Sequence, residues 1–451
     1  MGCCTAINRP NKIIQANKMT NAKNDLNLNS TSEKKEEINN KEDKNNASLI
    51  SEKNSNEKEE KDDYPDIIIT YMFNGKSEFE QTFKTKDNIS NLFDILLEKK
   101  SKYAEYDLIV NDKISLSTKL NEKIGSVFPE TEKAEVNMLY LGLDISDDIK
   151  SEYENNTEVI GSPLYNLGEN FGVLIYFIKD NIFRAEIIKN KKLSKFNHLS
   201  SVCNMNNVLF ISGGDEQKNN TGKTKPINLF YSIDLLKTNK IEELPALNTP
   251  RCFHSMIYIP KKYIFIVGGG TLDVELYDVK KKEISIDSQM KETRNESTLF
   301  VMNNSFLYAF CGISPEGAFL STVEKCNLRQ KERSWSYVNY AMADNTIFGE
   351  CFYIGHFFSD SSIILFASNE GDNNEYSNIL FDIEYEDNPT ISYYEGDNKI
   401  NDVVPEKIFH PVGDGNAIMI PLVGTTAKIY KIDEAIKLNV ENFPEALKDI
   451  V

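Results

Sequence analysis

The chain has 451 residues, of which 40% are hydrophobic, and 69 acidic against 51 basic residues give it a net charge of −18. This length predicts two or three structural units, and the acidic balance argues against general binding to nucleic acid. No apolar run is long enough to span a bilayer, no secretory core is recognisable at the start, and the scattered later cysteines are typical of a reduced, cytosolic chain.

The chain begins MGCCTAINRP, with Cys3 and Cys4 directly after Gly2. This start is similar to an N-myristoylation signal followed by palmitoylation sites, although Ala6 stands where that signal has Ser or Thr. Because one acyl chain gives only marginal membrane binding, the two cysteines and the basic start would supply the second signal. We expect lipidation at all three positions and a location on the cytoplasmic face of a membrane, the plasma membrane being the first choice. An unmodified tail is the alternative.

Residues 1–63 consist mostly of Asn, Lys, Glu and Ser. They contain too few apolar side chains to offset the entropy cost of ordering, so this segment is predicted to be a disordered tail that carries the acyl groups.

Residues 64–146 have the pattern of a small α+β domain. Two alternating apolar runs flank Asn74–Gly75, which is a strong hairpin signal, and a segment with helical spacing and two further strands follow, the last predicted to end at Ile145. This ββαβ…β order resembles the ubiquitin-like β-grasp fold, which implies a docking surface or a spacer; another small α+β fold stays open. Residues 147–159 are predicted to be a linker.

A repeat of four-residue apolar strands that run into small residues occupies residues 160–436. Successive anchors, counted from the first residue of each pair, lie 55, 43, 56 and 56 residues apart. A second strand follows each anchor, and His198, His254, Ser297 and His410 precede the anchors at similar spacing. The anchor pairs are Gly213–Gly214, Gly268–Gly269, Cys311–Gly312, Ala367–Ser368 and Val423–Gly424.

The second copy, TPRCFHSMIYIPKKYIFIVGGGTLDVELYDV, resembles a kelch repeat, a family whose fold is the β-propeller. The likeness implies that the glycines allow a crowded passage where a Cβ would clash, and that Tyr277 fills the gap between blades. The family's Trp appears only as Trp335. Five anchors and an initial blade without glycines suggest six blades, with five or seven as alternatives, and residues 437–451 are left as a C-terminal tail.

The resulting interpretation is a mainly β, non-catalytic scaffold: a kelch-type propeller of about six blades behind a β-grasp domain, tethered to the inner leaflet and binding protein partners, with basic partners favoured by the acidic charge. No catalytic motif, cofactor site or metal site is recognised, and the oligomeric state is left open. Two alternatives remain. Kelch propellers include substrate receptors of ubiquitin ligases, although no adaptor domain is evident here, and they include enzymes whose ligands cannot be matched in this chain.

Overall fold

A computed structural model divides the chain into two units, Met1–Asp63 and Tyr64–Val451. It describes residues 64–342, apart from short gaps, and the strands between residues 351 and 442. The gaps in the first stretch are residues 101–103, 112, 130, 147, 150, 153–156, 166–168, 181, 198, 217–223 and 261. The predicted disordered tail lies outside the described residues.

The described chain is mainly β, as predicted. One five-stranded sheet with a helix comes first, and six sheets of three to five strands follow among the described residues. The first sheet belongs to what we call the N-terminal subdomain, residues 64–140. Its elements are β1 (Asp66–Phe73), β2 (Lys76–Lys84), α1 (Ser90–Lys99), β3 (Tyr106–Val110), β4 (Ile114–Ser115), α2 (Ile124–Val127) and β5 (Lys133–Tyr140).

The predicted hairpin of the N-terminal subdomain is confirmed. Asn74 and Gly75 both have positive φ, 49° and 76°, as a two-residue turn between β1 and β2 requires. β5 pairs in parallel with β1 and antiparallel with β3, and it ends at Tyr140 rather than at the predicted Ile145. The buried face of α1 packs on this sheet, and the Tyr71 hydroxyl of β1 donates a 2.9 Å hydrogen bond to the Leu92 carbonyl of that helix.

The six later sheets are numbered here in chain order. Sheet 1 contains β6 (Val159–Leu164), β7 (Phe171–Phe177) and β8 (Ile182–Ile188). Sheet 2 contains β9 (Ser201–Met205), β10 (Val208–Ser212), β11 (Phe230–Asp234) and β12 (Ile241–Glu243). Sheet 3 contains β13 (His254–Ile259), β14 (Tyr263–Gly268), β15 (Asp273–Asp278) and β16 (Glu283–Gln289).

Sheet 4 contains β17 (Thr298–Met302), β18 (Phe306–Phe310), β19 (Val323–Asn327) and β20 (Trp335–Tyr337). Sheet 5 contains β21 (Ala341–Met342), β22 (Cys351–Phe357), β23 (Ser362–Asn369), β24 (Tyr376–Asp382) and β25 (Thr390–Tyr393). Sheet 6 contains β26 (Lys407–Val412), β27 (Asn416–Val423), β28 (Thr426–Ile432) and β29 (Leu438–Asn442). β29 brings residues predicted as a C-terminal tail into the last sheet.

Each of sheets 2, 3 and 4 is an antiparallel meander, so its connections lie alternately at two ends. We call the end that carries the predicted glycine pairs the loop end. The opposite end, where the first strand turns into the second and the third into the fourth, is called the turn end. In sheet 5 the antiparallel meander begins with β22, because β21 pairs in parallel with β25 at the other edge. The strands that begin the meanders of sheets 2–6 contact each other in chain order, β9 with β13, β13 with β17, β17 with β22 and β22 with β26.

A segment at residues 141–149, here called the strap, joins the N-terminal subdomain to the turn end. The Leu143 amide donates to the Leu328 carbonyl at 3.1 Å, and the Arg329 guanidinium donates to the Ser146 carbonyl at 3.0 Å. Leu143 and Ile149 are buried in a core shared with sheets 2, 3 and 4. The strap therefore fixes the subdomain to the sheets, and part of it was predicted to be a linker.

Sheet 1 has three strands, and the direction of its first strand can be compared with that of β9 in sheet 2. Along β6, Val159 contacts Asn207 and then Gly161 contacts Asn204, so β6 runs opposite to β9. In the antiparallel sheets 2–4, the second and fourth strands run opposite to the first, so β6 has the direction of a second or a fourth strand.

Two asparagine side chains satisfy the edge of β6 that faces away from β7. The Gly161 amide donates to Asn204 Oδ1 at 2.8 Å, and Asn204 Nδ2 donates to the Gly161 carbonyl at 3.1 Å. Asn207 Oδ1 accepts the Val159 amide at 3.0 Å, and the next residue on this edge, Pro163, has no amide hydrogen. These side chains supply the hydrogen-bond partners that the backbone of a buried strand edge needs.

Replacing Asn204 by Ala should therefore destabilise the protein. The change leaves the buried amide and carbonyl of Gly161 without partners, at a cost of about 1–3 kcal/mol per group. Urea unfolding followed by intrinsic fluorescence measures the loss, with the exposed Asn239→Ala as the matched control. Equal midpoints for the two variants would contradict the role given to Asn204.

Candidate functional site

The predicted glycine pairs lie at the loop end of sheets 2, 3 and 4, where the second strand ends. All six positions have positive φ, which favours glycine and is uncommon for other residues. Cys311 adopts the same left-handed conformation as the glycines that precede it in the repeat. The φ values are 60° at Gly213, 110° at Gly214, 78° at Gly268, 79° at Gly269, 51° at Cys311 and 105° at Gly312.

Each pair of glycines contacts the following sheet. A Cβ on Gly213 would lie 2.3 Å from the carbonyl oxygen of Arg251, so only glycine fits there. The amide of Gly214 donates to that same oxygen at 2.9 Å. The same contact occurs between sheets 3 and 4. A Cβ on Gly268 would lie 2.3 Å from the carbonyl oxygen of Arg294, and the amide of Gly269 donates to that oxygen at 3.0 Å.

The side chain of Arg251 is fully buried and paired inside its own sheet. Its Nη2 lies 2.6 Å from Glu275 Oε1, and neither side chain is exposed to solvent. Its Nη1 donates to the carbonyl oxygens of Gly268 and Asp273 at 3.0 and 3.1 Å. Because of this distance and burial, the two side chains form a buried ion pair. Burial lowers the pKa of Arg251, and the charge of Glu275 opposes that effect.

Glu275 in turn holds the loop that leads from sheet 2 to sheet 3. Its two carboxylate oxygens accept the backbone amides of Asn248 and Thr249, at 2.7 and 3.1 Å. The pair therefore determines the path of an exposed loop from inside the sheet.

Sheet 4 repeats this arrangement. Arg294 Nη2 lies 2.7 Å from Glu324 Oε1, again with both side chains fully buried. Nη1 of Arg294 donates to the Cys311 carbonyl at 2.8 Å, and Glu324 accepts the amides of Lys291 and Glu292 at 2.7 and 3.1 Å. Two successive loops at the loop end are thus each held by a buried Arg–Glu ion pair of the same kind.

His254 lies buried between sheets 2 and 3. Its Nε2 is 2.7 Å from the hydroxyl of Ser212, the last residue of β10. Burial, with a smaller contribution from the charge of Arg251, holds the pKa of His254 well below its usual value of 6.5, so the ring is neutral at pH 7. Its bond to Ser212 is a contact between sheets 2 and 3.

Aromatic side chains fill the spaces between the sheets. The ring of Tyr277 lies 5.0 Å from that of Phe230 and 6.4 Å from that of Phe210, both in sheet 2. Trp335 of sheet 4 is buried and donates from Nε1 to the hydroxyl of Ser288 in sheet 3 at 3.0 Å.

Two non-glycine residues stand in the left-handed region where first strands begin, Phe253 with φ 58° and Glu296 with φ 53°. The amide of Phe253 donates to the Leu199 carbonyl at 3.0 Å, and the amide of Glu296 donates to the Phe253 carbonyl at 2.7 Å. The two side chains are half-buried. Their backbones belong to a row of hydrogen bonds that links the starts of successive sheets. Strained backbone of this kind clusters at functional sites of proteins.

The similar spacing of His254 and His410 before their anchors does not give them the same place in their sheets. His254 pairs with Gly268 at the start of its strand, whereas His410 pairs with Ile418 within β26 and β27. Counting residues back from an anchor ignores the length of the intervening strands and turn, which differs between sheets. His198 and the lipidation residues Gly2, Cys3 and Cys4 lie outside the described residues.

Sequence reasoning missed Glu275, Arg294 and Glu324. A signal for them existed, because Val-Glu begins both VELYDV and VEKCNL and because Arg294 follows Arg251 at the same spacing as Cys311 follows Gly268. The described residues contain no group of three His, Cys, Asp or Glu side chains placed to hold a metal ion. They also contain no helix of the length and apolarity that a membrane crossing needs.

Comparisons with family models and with curated proteins do not assign the chain to a family. No protein-family model matches the chain, and no curated protein is detectably similar to it.

The buried ion pair predicts a strong asymmetry between single and double substitutions. Arg251→Met leaves the Glu275 carboxylate buried without its cation, which should cost about 3–5 kcal/mol, whereas Arg251→Met with Glu275→Leu should restore part of that loss. Urea unfolding of the native chain, the two single variants and the double variant measures the coupling.

The exposed pair Lys240–Asp234 offers a matched control, since Lys240→Met should change stability by less than about 1 kcal/mol. Additive effects of the Arg251 and Glu275 substitutions would show that the two side chains do not act as a pair.

Proposed function

We propose that this protein is a membrane-tethered, non-catalytic scaffold, in which sheets 1–6 form a six-bladed kelch-type propeller that binds protein partners at the loop end. The observation that carries the proposal is the repeated contact of a glycine pair with the arginine of the next sheet. This contact joins each sheet to the next at the loop end, and the side chains of the same arginines form the buried ion pairs that fix the intervening loops. Rigid sheets with exposed loops suit recognition of a protein surface.

Two further contacts support a closed arrangement of the sheets. β26 of sheet 6 contacts β9 of sheet 2, and β6 of sheet 1 contacts β9 and β10. Sheet 1 would occupy a three-stranded blade position, and the edge of β6 is already satisfied by asparagine side chains.

The N-terminal subdomain is proposed to be a β-grasp module. Its strand order β2-β1-β5-β3-β4, with a parallel central pair and one long helix, supports this assignment. The strap holds the module against the turn end, which leaves the loop end of sheets 2–4 to a partner. Glu296 and Phe253 are the side chains that we assign to contact such a partner, and the carboxylate favours a basic segment.

Membrane tethering is tested by fractionating cells that express the full chain. Gly2→Ala and the double change Cys3→Ser with Cys4→Ser should both move the protein to the soluble fraction, because either one removes an acyl signal that stable anchoring needs. Asn8→Ala, in the same segment, should leave it on the membrane.

Partner binding is read from the same cells, by comparing proteins cross-linked to the native chain with those cross-linked to Glu296→Lys. Charge reversal at the loop end should remove the cross-linked partner without moving the chain from the membrane. If both acylation variants stay on the membrane and Glu296→Lys keeps every partner, the proposed function is wrong.

A further inference from the structure

The turn end of sheets 1–3 carries an unusual number of exposed lysines for so acidic a chain. They stand on three connections, residues 178–181 between β7 and β8, residues 235–240 between β11 and β12, and residues 279–282 between β15 and β16. The lysines are Lys179, Lys237, Lys240, Lys280, Lys281 and Lys282. The one acidic residue within these three connections is Asp180.

Contacts tie the second connection to β8 of sheet 1 and the third connection to β12 of sheet 2. Arg184 of β8 donates from Nη2 to the Leu235 carbonyl at 3.3 Å, and the Thr238 hydroxyl bonds to the carboxylate of Glu186. Lys282 forms an ion pair with Glu242 of β12, which brings the third connection beside the second. We call the exposed surface of these connections, together with Ile182 at the start of β8, the lysine patch.

Asp234 and Asp278, the last residues of β11 and β15, are half-buried and hold two of the lysine-bearing turns. Asp234 Oδ1 accepts the amides of Leu236 and Lys237, both at 3.1 Å. Asp278 Oδ1 accepts the amides of Lys280 and Lys281 in the same way, both at 3.0 Å. These carboxylates are engaged with the turns, and the lysines that the turns carry are exposed.

Part of the lysine charge is paired and part is not. Asp234 and Asp278 come within 3.8 Å of Lys240 and Lys281, and Lys282 is paired with Glu242. Within the described part of the chain, Lys179, Lys237 and Lys280 form no ion pair. These three lysines come from three different sheets, so their charges are spread along the turn end rather than gathered on one loop.

Two large aliphatic side chains are exposed among the lysines. Ile182 is 57% exposed and Leu236 is 45% exposed. Lysine heads beside aliphatic tips can meet both the headgroups and the acyl boundary of a bilayer, a combination that a purely acidic peptide would not use.

We propose that the lysine patch binds the surface of an anionic membrane, with Lys179, Lys237 and Lys280 contacting lipid headgroups and Ile182 and Leu236 entering the interface. The idea rests on the proposed function for placing the chain at a membrane, and it adds an orientation: the turn end faces the bilayer, and the loop end of sheets 2–4 faces the cytoplasm and the partner. The patch would add to the membrane binding that the acyl groups supply, because polybasic surfaces strengthen a weak lipid anchor.

The test uses the full chain without acyl groups, so that it stays separate from the fractionation of acylation variants. Protein carrying Gly2→Ala, Cys3→Ser and Cys4→Ser is floated with vesicles of phosphatidylcholine, alone or with about one third phosphatidylserine. Binding should require phosphatidylserine and weaken with salt. Lys179→Glu, Lys237→Glu and Lys280→Glu together should reduce vesicle binding by at least about tenfold.

The matched control reverses three exposed lysines at the loop end, Lys189, Lys191 and Lys291, to Glu. It changes the net charge equally and should bind within about twofold of the parent, because its lysines lie away from the bilayer. Replacing Ile182 and Leu236 together by Ser should also weaken binding, by about threefold or more, while the salt dependence stays. Thermal unfolding confirms that each variant is folded.

Three results would overturn the proposal. The parent could fail to bind phosphatidylserine vesicles. The two charge-reversal variants could lose binding equally, which would assign the effect to net charge. Soluble polyglutamate could bind the parent as well as vesicles do, with no effect of the Ile182 and Leu236 substitutions, which would make the patch a site for an acidic protein. None of these results bears on whether Gly2, Cys3 and Cys4 are acylated.

Discussion

One carbonyl oxygen in each of two successive repeats joins neighbouring sheets. The carbonyl oxygens of Arg251 and Arg294 each accept an amide from the second glycine of the preceding sheet. Each oxygen also lies only 2.3 Å from the place that a Cβ on the first glycine would take. The arginine side chain turns back into its own sheet and ends in a buried ion pair. A single residue thus connects the position of one sheet to the internal bonding of the next.

This arrangement gives the two ends of sheets 2–4 different properties. At the loop end, Glu275 and Glu324 accept backbone amides of the connecting loops and so fix their paths through main-chain contacts. At the turn end, the strap and the subdomain rest on residues near Leu328 and Arg329, and the remaining turns carry lysines. The proposed partner surface and the proposed membrane surface are therefore placed at opposite ends.

Local signals predicted local structure well. Asn74–Gly75 and the glycine pairs were recognisable because a positive φ restricts residue choice at the position itself. The mainly β class followed from repeated four-residue apolar strands in the same way. The end of β5 was misplaced, because the apolar residues of the strap, such as Leu143, continue the strand's pattern although they pack against other sheets.

Contacts that join distant parts of the chain could not be predicted so directly. Glu275 is charged and appears in a strand that ends in polar residues, so composition alone describes it as solvated; only its partner Arg251, 24 residues earlier, explains its burial. From the sequence, Asn204 is likewise only a polar residue in a short strand. Its structural role is to hydrogen-bond Gly161 on the edge of β6, 43 residues earlier in the chain. The lysine patch needs three separate turns to be brought together before its charge becomes evident.

Amide hydrogen exchange at Gly214 and Gly269 tests the central claim, that the sheets are joined through the arginine carbonyls. Both amides lie in connections at the loop end, where exchange is ordinarily fast, but each donates to a buried acceptor in the next sheet. We predict protection comparable with that of β10 and β14, and far above that of the turn at Lys280 and Lys281. Exchange at Gly214 and Gly269 as fast as in that turn would show that the sheets are not joined in this way, and the account would fail.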